Sequence, residues 1–390
     1  MQPADETSIE LGRQLNEQVL GPIKDCFVGK EEVVDLLGVC LVGGENLFIL
    51  GPPGTAKSAL VQELALRLDG RMFDYLLTRF TEPNELFGPF DIRKLREGDL
   101  VTNIEGMMPQ ADFAFLDELL NANSAILNSL LMVLNERIFR RGRETIPVPT
   151  LMVVGASNCL PQDEALGALF DRFLLRVRCE NVPTERLSDV LQAGWKREVR
   201  GRERTAGMHV DQVRLLQQQL RHISLAPVQV AYVDLVRRLR HSGIKVSDRR
   251  AVKLQRMVAA SALLCGRSEA IISDLWVLRY IWDTDEQQEI IAALVDSAIS
   301  AGQSPIAEQT HPRSQSTQAA NPELLSQELK RIAGRLREQT VSSVERSNLR
   351  DELGLLASRS EWITQTHQRE FLQQEIAKLW PQFEASAGQT

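Results

Sequence analysis

At 390 residues the chain exceeds the roughly 100–200 residues of one ordinary domain, so two or three domains are expected. A formal charge of −7 and only 5% aromatic residues argue against a bulk polyanion binder and against base-stacking platforms. The five cysteines (Cys26, Cys40, Cys159, Cys179 and Cys265) are odd in number and lack a Cys-x-x-Cys spacing, which speaks against a disulfide framework or a zinc site and suits buried small apolar residues.

In chain order, Met1 to Glu10 is polar and acidic, and no run approaches the roughly 18 apolar residues of a membrane helix, so a cytoplasmic chain without a membrane span is expected. The first strong signal is the apolar run Asn46 to Leu50, followed by Gly51-Pro52-Pro53-Gly54-Thr55-Ala56-Lys57-Ser58 and by helical spacing from Lys57 to Leu68. A strand feeding a glycine-rich turn that opens a helix points consecutive backbone N–H groups at one spot, which is a cradle for phosphate oxygens. Lys57 is suited to the β- and γ-phosphates of a nucleoside triphosphate, and Ser58 to Mg²⁺. The usual pattern has glycine directly before the lysine. Ala56 stands there, and is expected to keep a negative φ. The competing explanation, a surface turn rich in Gly and Pro, does not account for the strand and helix on either side.

Met72 to Leu77 reads as a second strand and Asp112 to Glu118 as a third, apolar until its last two carboxylates. Adjacent strand residues point to opposite faces, so Asp117 and Glu118 are expected to divide the work: Asp117 toward Mg²⁺ and its waters, Glu118 toward the attacking water. In isolation both could be ordinary strand-end acids. Ser124 to Glu136 places Ile126, Leu127, Leu130, Leu131 and Leu134 on one helical stripe, and Phe139 to Pro149, interrupted by Gly142, suits a hairpin. A fourth strand, Leu151 to Gly155, leads to Asn158, whose amide could position a water or merely cap a turn; the fifth is Leu174 to Arg178. Arg172, just before it, could reach a phosphate on a neighbouring subunit or simply pair with Asp171. Apolar strands alternating with helices predict a parallel sheet covered on both faces, with the ligand at the strands' carboxyl ends.

From about Pro183 the pattern is helical only: Thr184 to Trp195, Val210 to His222, Val228 to His241, Asp248 to Cys265, and Asp274 to Ile299. Between Lys196 and Arg256 there are 15 basic and 5 acidic side chains, a surplus of 10 that could serve nucleic acid, neighbouring nucleotide sites, or only a solvated face. Arg249, favoured over Arg250, begins a helix with Ser247 or Asp248 as N-cap. Ala301 to Pro322 has little to bury and reads as a linker, and amphipathic helix resumes with Leu325, Leu329, Ile332 and Leu336, then Leu372, Ile376 and Leu379.

Phosphate loop, Asp-Glu strand, asparagine, Asp-Arg and helical lid in this order resemble an AAA+ ATPase, and the Ala-Lys-Ser ending is similar to that of the MoxR family. Leu77 to Pro89, Ile126 to Leu131, Leu134 to Arg137, Val246 to Arg250 and Asp274 to Trp276 resemble its RavA branch, although the β-rich insertion of that branch is replaced by the interval Gln303 to Asn321. The resemblance implies an α/β AAA+ core over 1–182, an all-α lid over 183–270, and a helical C-terminal domain made of 271–302 and 322–390 joined by a 303–321 linker. It implies Val28-Gly29 at the adenine, Asn158 as sensor 1, Arg172 as an arginine finger acting in trans, and Arg249 as sensor 2. It further implies Asp91 to Gln110 as an insert and Arg137 to Pro149 as a hairpin, both facing the pore or partner surface. ATP and Mg²⁺ are the implied cofactors, a homo-hexameric ring the assembly, and a von Willebrand factor A (vWA) domain protein with a protein client the partners. A DNA-processing or defence motor is the alternative, supported only by the basic stretch and Arg140-Arg141-Gly142-Arg143.

Overall fold

The structure is a computed structural model and describes residues 6–384 except 98–100, 142–143, 162–163, 201–206, 303–309, 315–321, 337–348, 351–352, 354–355 and 358–365. Its contacts divide the chain into two units, Met1–Ser314 and Gln315–Thr390.

The first unit opens with α1 (Glu6–Gln14), which winds through a π turn into α2 (Gly21–Cys26), and α3 (Glu31–Gly43), almost wholly buried. Strand β1 (Leu47–Leu50) then leads through the glycine-rich loop into α4 (Lys57–Arg67), β2 (Met72–Leu76) and the short α5 (Pro83–Phe87) and α6 (Ile92–Arg96). After β3 (Phe113–Asp117) come α7 (Ser124–Glu136), the antiparallel hairpin β4 (Ile138–Arg141) and β5 (Glu144–Pro147), β6 (Met152–Ser157), α8 (Glu164–Phe170) and β7 (Leu175–Arg178). The five long strands form one parallel sheet in the order β2-β3-β6-β1-β7, with Leu47 opposite both Val154 and Leu175. Every residue of β1 and β6 is buried, because helices cover both faces.

Strand order fixes which helix lies on which face. The chain moves one way along the sheet from β1 to β2 and the other way from β3 to β6 to β7; right-handed crossovers therefore put α4 on one face and α7 and α8 on the other. Phe48, packed edge-on to Phe170 and Phe173 at centroid distances of 4.9 and 5.7 Å, points to the α8 face.

Helices alone follow: α9 (Leu187–Arg200), α10 (Val210–Gln219), α11 (Gln229–His241), α12 (Asp248–Leu264) and α13 (Asp285–Ala301). Ser247 is the N-cap of α12, its Oγ accepting from Arg250 N at 3.2 Å. The continuous helix expected over 274–299 is instead a 3₁₀ segment, Ile272–Tyr280, a break, and then α13. The reason is Asp274, fully buried, which accepts from Ile271 N, Ser261 Oγ and Arg267 and so ties this segment to α12. A fully buried Trp276 donates to the same Ser261 Oγ at 2.9 Å.

Two boundaries differ from expectation. Residues 271–302 belong to the first unit rather than to a domain shared with 322–390. Within the expected linker, 303–309 and 315–321 lie outside the described residues, but 311–314 is anchored in the first unit. The His311 ring stacks on Trp276 at 4.4 Å, Arg313 Nε donates to Asp35 at 2.9 Å, and Arg279 donates to the carbonyls of Arg313 and Ser314. Burial holds the His311 imidazole neutral, its pKa down to about 4 against the pull of Asp35, so its Nδ1 is free to accept from Arg313 N. The second unit contains α14 (Pro322–Leu336) and α15 (Thr366–Glu384), whose Leu329, Ile332, Leu372, Ile376 and Leu379 share a core with Leu349, Leu353 and Leu356. No helix among the described residues is long and apolar enough to cross a membrane.

Candidate functional site

The candidate site lies at the carboxyl ends of the parallel strands, where β1 gives way to Gly51–Ser58. Gly51 N donates to Ser157 O at 3.0 Å and Cys179 N to Leu50 O at 2.8 Å, so the loop departs from a point held by both neighbouring strands. A Cβ on Gly51 would stand 2.2 Å from the Cys179 carbonyl oxygen; only glycine permits that approach. Gly54 has φ 82 and open space around its Cα, as a loop that must admit a ligand to its backbone requires. Thr55 Oγ1 donates to Pro52 O at 3.0 Å, and the buried Cys179 thiol donates to Thr55 O at 3.3 Å.

Ala56 overturns the expectation of a negative φ: its backbone is left-handed, at φ 67 and ψ 22. The turn into α4 needs that conformation whichever residue occupies it, and alanine accepts a strain that glycine would not feel.

Lys57 is buried to 7% exposure, and its ammonium donates to Gly51 O and Pro52 O, both at 2.8 Å. The loop's own carbonyls thus hold the cation that an arriving phosphate would take over. Ser58 is half-buried on the first turn of α4.

Asp117 ends β3 as expected, and its Oδ1 accepts from Glu118 N at 3.0 Å. Glu118 does not continue the strand. It too is left-handed, at φ 50 and ψ 40, so a reversal of the backbone, and not the expected strand alternation, separates the two carboxylates. Burial, and then the Asp117 carboxylate, raise the Glu118 carboxyl above its ordinary value, against the pull of the Lys57 ammonium. Glu118 therefore feels both of the other charges. Asn158 is exposed just beyond β6, the strand between β1 and β3.

Hard oxygen donors from Ser58 and Asp117 beside a phosphate cradle suit Mg²⁺, which takes one or two protein ligands and completes its shell with phosphates and water. Among the described residues no cluster of three or more His, Cys, Asp or Glu is placed to hold a metal ion.

The adenine candidates Val28 and Gly29 lie between α2 and α3. Gly29 has φ 72, and a Cβ there would meet Val182 at 3.0 Å. Next to it the buried Lys30 donates to Glu180 O, tying this turn to the exit of β7. Sequence reasoning missed both Lys30 and Cys179; neither carries a motif, and their roles exist only where β7 passes the loop.

The structure does not bring Arg172 to its own chain's loop. It stands at the end of α8, 3.3 Å from Asp171, the pairing weighed as the plainer explanation. Arg249 is exposed at the start of α12. Arg250 is buried instead, donating to Ile281 O and lying 3.3 Å from Asp283, which also pairs with the fully buried Arg176 at 2.8 Å. Packing thus separates the two arginines: Arg250 is held inside and Arg249 faces solvent. Part of the basic stretch is similarly committed: Arg214 to Asp112 and Asp211, Arg240 to Asp248, Lys253 to Glu45. Of the cysteines, Cys40 and Cys179 are buried as expected, whereas Cys159 is exposed beside Asn158.

A family model described as the MoxR domain of MoxR-vWA-β-propeller ternary systems matches residues 13–218, just over half of the chain. The chain belongs to the MoxR family of AAA+ ATPases. An AAA lid domain model matches residues 230–295. Two uncharacterised proteins of Methanocaldococcus jannaschii are each 34% identical to this MoxR-family chain, over 72 and 68% of it and 73 and 70% of their own lengths. Chaperone MoxR1 of Mycobacterium tuberculosis is 27% identical over 41% of the chain and 43% of its own. In architecture the chain is similar to the crystal structure of a Cytophaga hutchinsonii protein designated an ATPase, with a TM-score of 0.63 at 19% identity over 74% of this chain and 96% of that one.

Proposed function

We propose that this MoxR-family chain hydrolyses ATP to ADP and phosphate with Mg²⁺, as a cytoplasmic hexameric ring that remodels a protein client beside a vWA domain partner. The observation that carries the reading is the meeting of Lys57, Asp117 and Glu118 at the ends of β1 and β3, with Asn158 at the end of the strand between them. The description of the matching family model adds a β-propeller protein to the assembly, and favours that ternary group over the RavA branch as the chain's place in the family.

In this reading the loop from Gly51 to Ser58 holds the triphosphate and Val28-Gly29 the adenine. Lys57 exchanges two carbonyl acceptors for phosphate oxygens, so its charge is already desolvated and aimed before substrate arrives. Ser58 and Asp117 hold Mg²⁺, which when bound offsets charge on the phosphates. Glu118 accepts a proton from the attacking water, a role its raised carboxyl pKa favours, and Asn158 orients that water. Arg249 reaches from the lid, and Arg172, remote from its own loop, serves the neighbouring subunit. The insert over 91–110 and the hairpin β4-β5 face the pore or the partner.

The test is capture of full-length Glu118→Gln from its native lysate with ATP and Mg²⁺ after nuclease treatment. Co-recovery of vWA and β-propeller proteins is the expected result. Recovery of DNA-processing subunits in their place would move the chain to the alternative, a DNA-associated motor.

A further inference from the structure

Leu187, Leu191, Trp195 and Val199 recur every four residues along α9 and are 48, 64, 68 and 71% exposed. Side chains four apart share a helix face, so they form one apolar stripe of about three turns. The face turned to the body carries smaller side chains and a charge: its half-buried residues are Val190, Ala193 and Arg197. Arg197 lies over the Phe27 ring at 4.8 Å and 3.9 Å from Glu63 of α4. A surface helix ordinarily turns its apolar stripe inward. The inversion in α9 marks a surface that another polypeptide covers.

Two observations select what covers it. First, α9 starts beside the adenine candidates, where Val182 packs on Gly29 and Arg186 lies 3.7 Å from Glu31. Second, α9 rests on the α4 side of the sheet through Glu63, whereas Arg172 follows α8 on the opposite side. A copy that brings Arg172 to its neighbour's phosphates must set its α8 side against the neighbour's phosphate-loop side, a head-to-tail contact that closes into a ring.

We propose that the α9 stripe is covered by a second copy of this chain, the same neighbour that supplies Arg172 to the phosphate site. The inference rests on the ring reading above. It makes α9 the apolar part of an interface whose polar part is the nucleotide, so that assembly and substrate binding support each other.

The experiment compares the full-length wild type with Leu191→Glu/Trp195→Glu by sedimentation velocity, with a non-hydrolysable ATP analogue and Mg²⁺. A fluorescent ATP analogue reports binding by the unassembled chain and serves as the control for folding. The wild type is expected to assemble. The double variant should bind nucleotide within about 2-fold of wild type yet need roughly 100-fold more protein to assemble, the loss expected for two large side chains left unburied. Trp195→Phe should assemble as wild type does. A double variant that assembles normally overturns the assignment of α9, and one that assembles normally but no longer captures the vWA protein gives the stripe to that partner instead. A wild type that stays monomeric with nucleotide overturns the ring reading, and this inference with it.

Discussion

Ala56 offers a test in which the sign alone decides. An alanine held at φ 67 and ψ 22 is strained by about 1–2 kcal/mol relative to right-handed backbone, because its Cβ crowds the next carbonyl. Ala56→Gly removes the strain but returns about 0.5–1 kcal/mol of freedom to the unfolded chain, and it deletes a methyl packed partly against the core. The balance is a stabilisation of about 0.5 kcal/mol, or a rise of about 1–2 °C in melting temperature for a unit of this size. Were φ negative, the same substitution at the start of a helix would destabilise by about 0.5–1 kcal/mol. Differential scanning fluorimetry and urea melts distinguish the two outcomes. Because the loop is already shaped, ATP affinity should stay within about 2-fold. Ala56→Val should lose more than about 2 kcal/mol, since a β-branched residue tolerates this region least. A glycine variant that melts below wild type would refute the argument that the loop carries strain at this residue.

Three further predictions follow from the same geometry. Glu118→Gln should bind ATP yet turn over about 10²–10⁴-fold more slowly, measured as phosphate release. It should also melt above wild type at pH 7.5: a carboxyl whose folded pKa is raised carries a penalty once ionised, and that penalty vanishes as pH falls below the unfolded value. A gain that persists undiminished at pH 4 would contradict the electrostatic account. Arg172→Ala should lose about 10³-fold in turnover while each subunit still binds ATP; mixing it with Lys57→Ala should restore activity at intermediate ratios, and no recovery at any ratio would count against action in trans. Asp283→Ala should cost about 3–5 kcal/mol in chemical denaturation, because Arg176 and Arg250 would remain buried without their shared carboxylate; a cost below 1 kcal/mol would show that water reaches the pair.

What the sequence alone determined is local. Strand, loop and helix around Lys57, the stripe of α7 over Ser124–Glu136, and the Asp-Glu ending of β3 follow from periodicity and from residues whose backbone and donor chemistry act over a few positions. That is why the phosphate loop and both carboxylates were legible, and why the parallel sheet could be inferred from alternation. Tertiary structure decided whatever depends on which segments meet. Ala56 and Glu118 adopt left-handed backbone because the chain must turn at fixed points set by neighbouring strands, and the surrounding fold outweighs their own preference. Arg249 and Arg250 are indistinguishable as letters; burial beside Asp283 made one structural and left the other at the surface. His311–Ser314 read as linker because its composition is polar, yet neutral His311 on Trp276 and Arg313 on Asp35 hold it in place through partners more than 30 and 270 residues away. Leu187, Leu191, Trp195 and Val199 recur every four residues, but such spacing says only that four side chains share a face. Which way that face turns is settled by what packs against the other side of the helix.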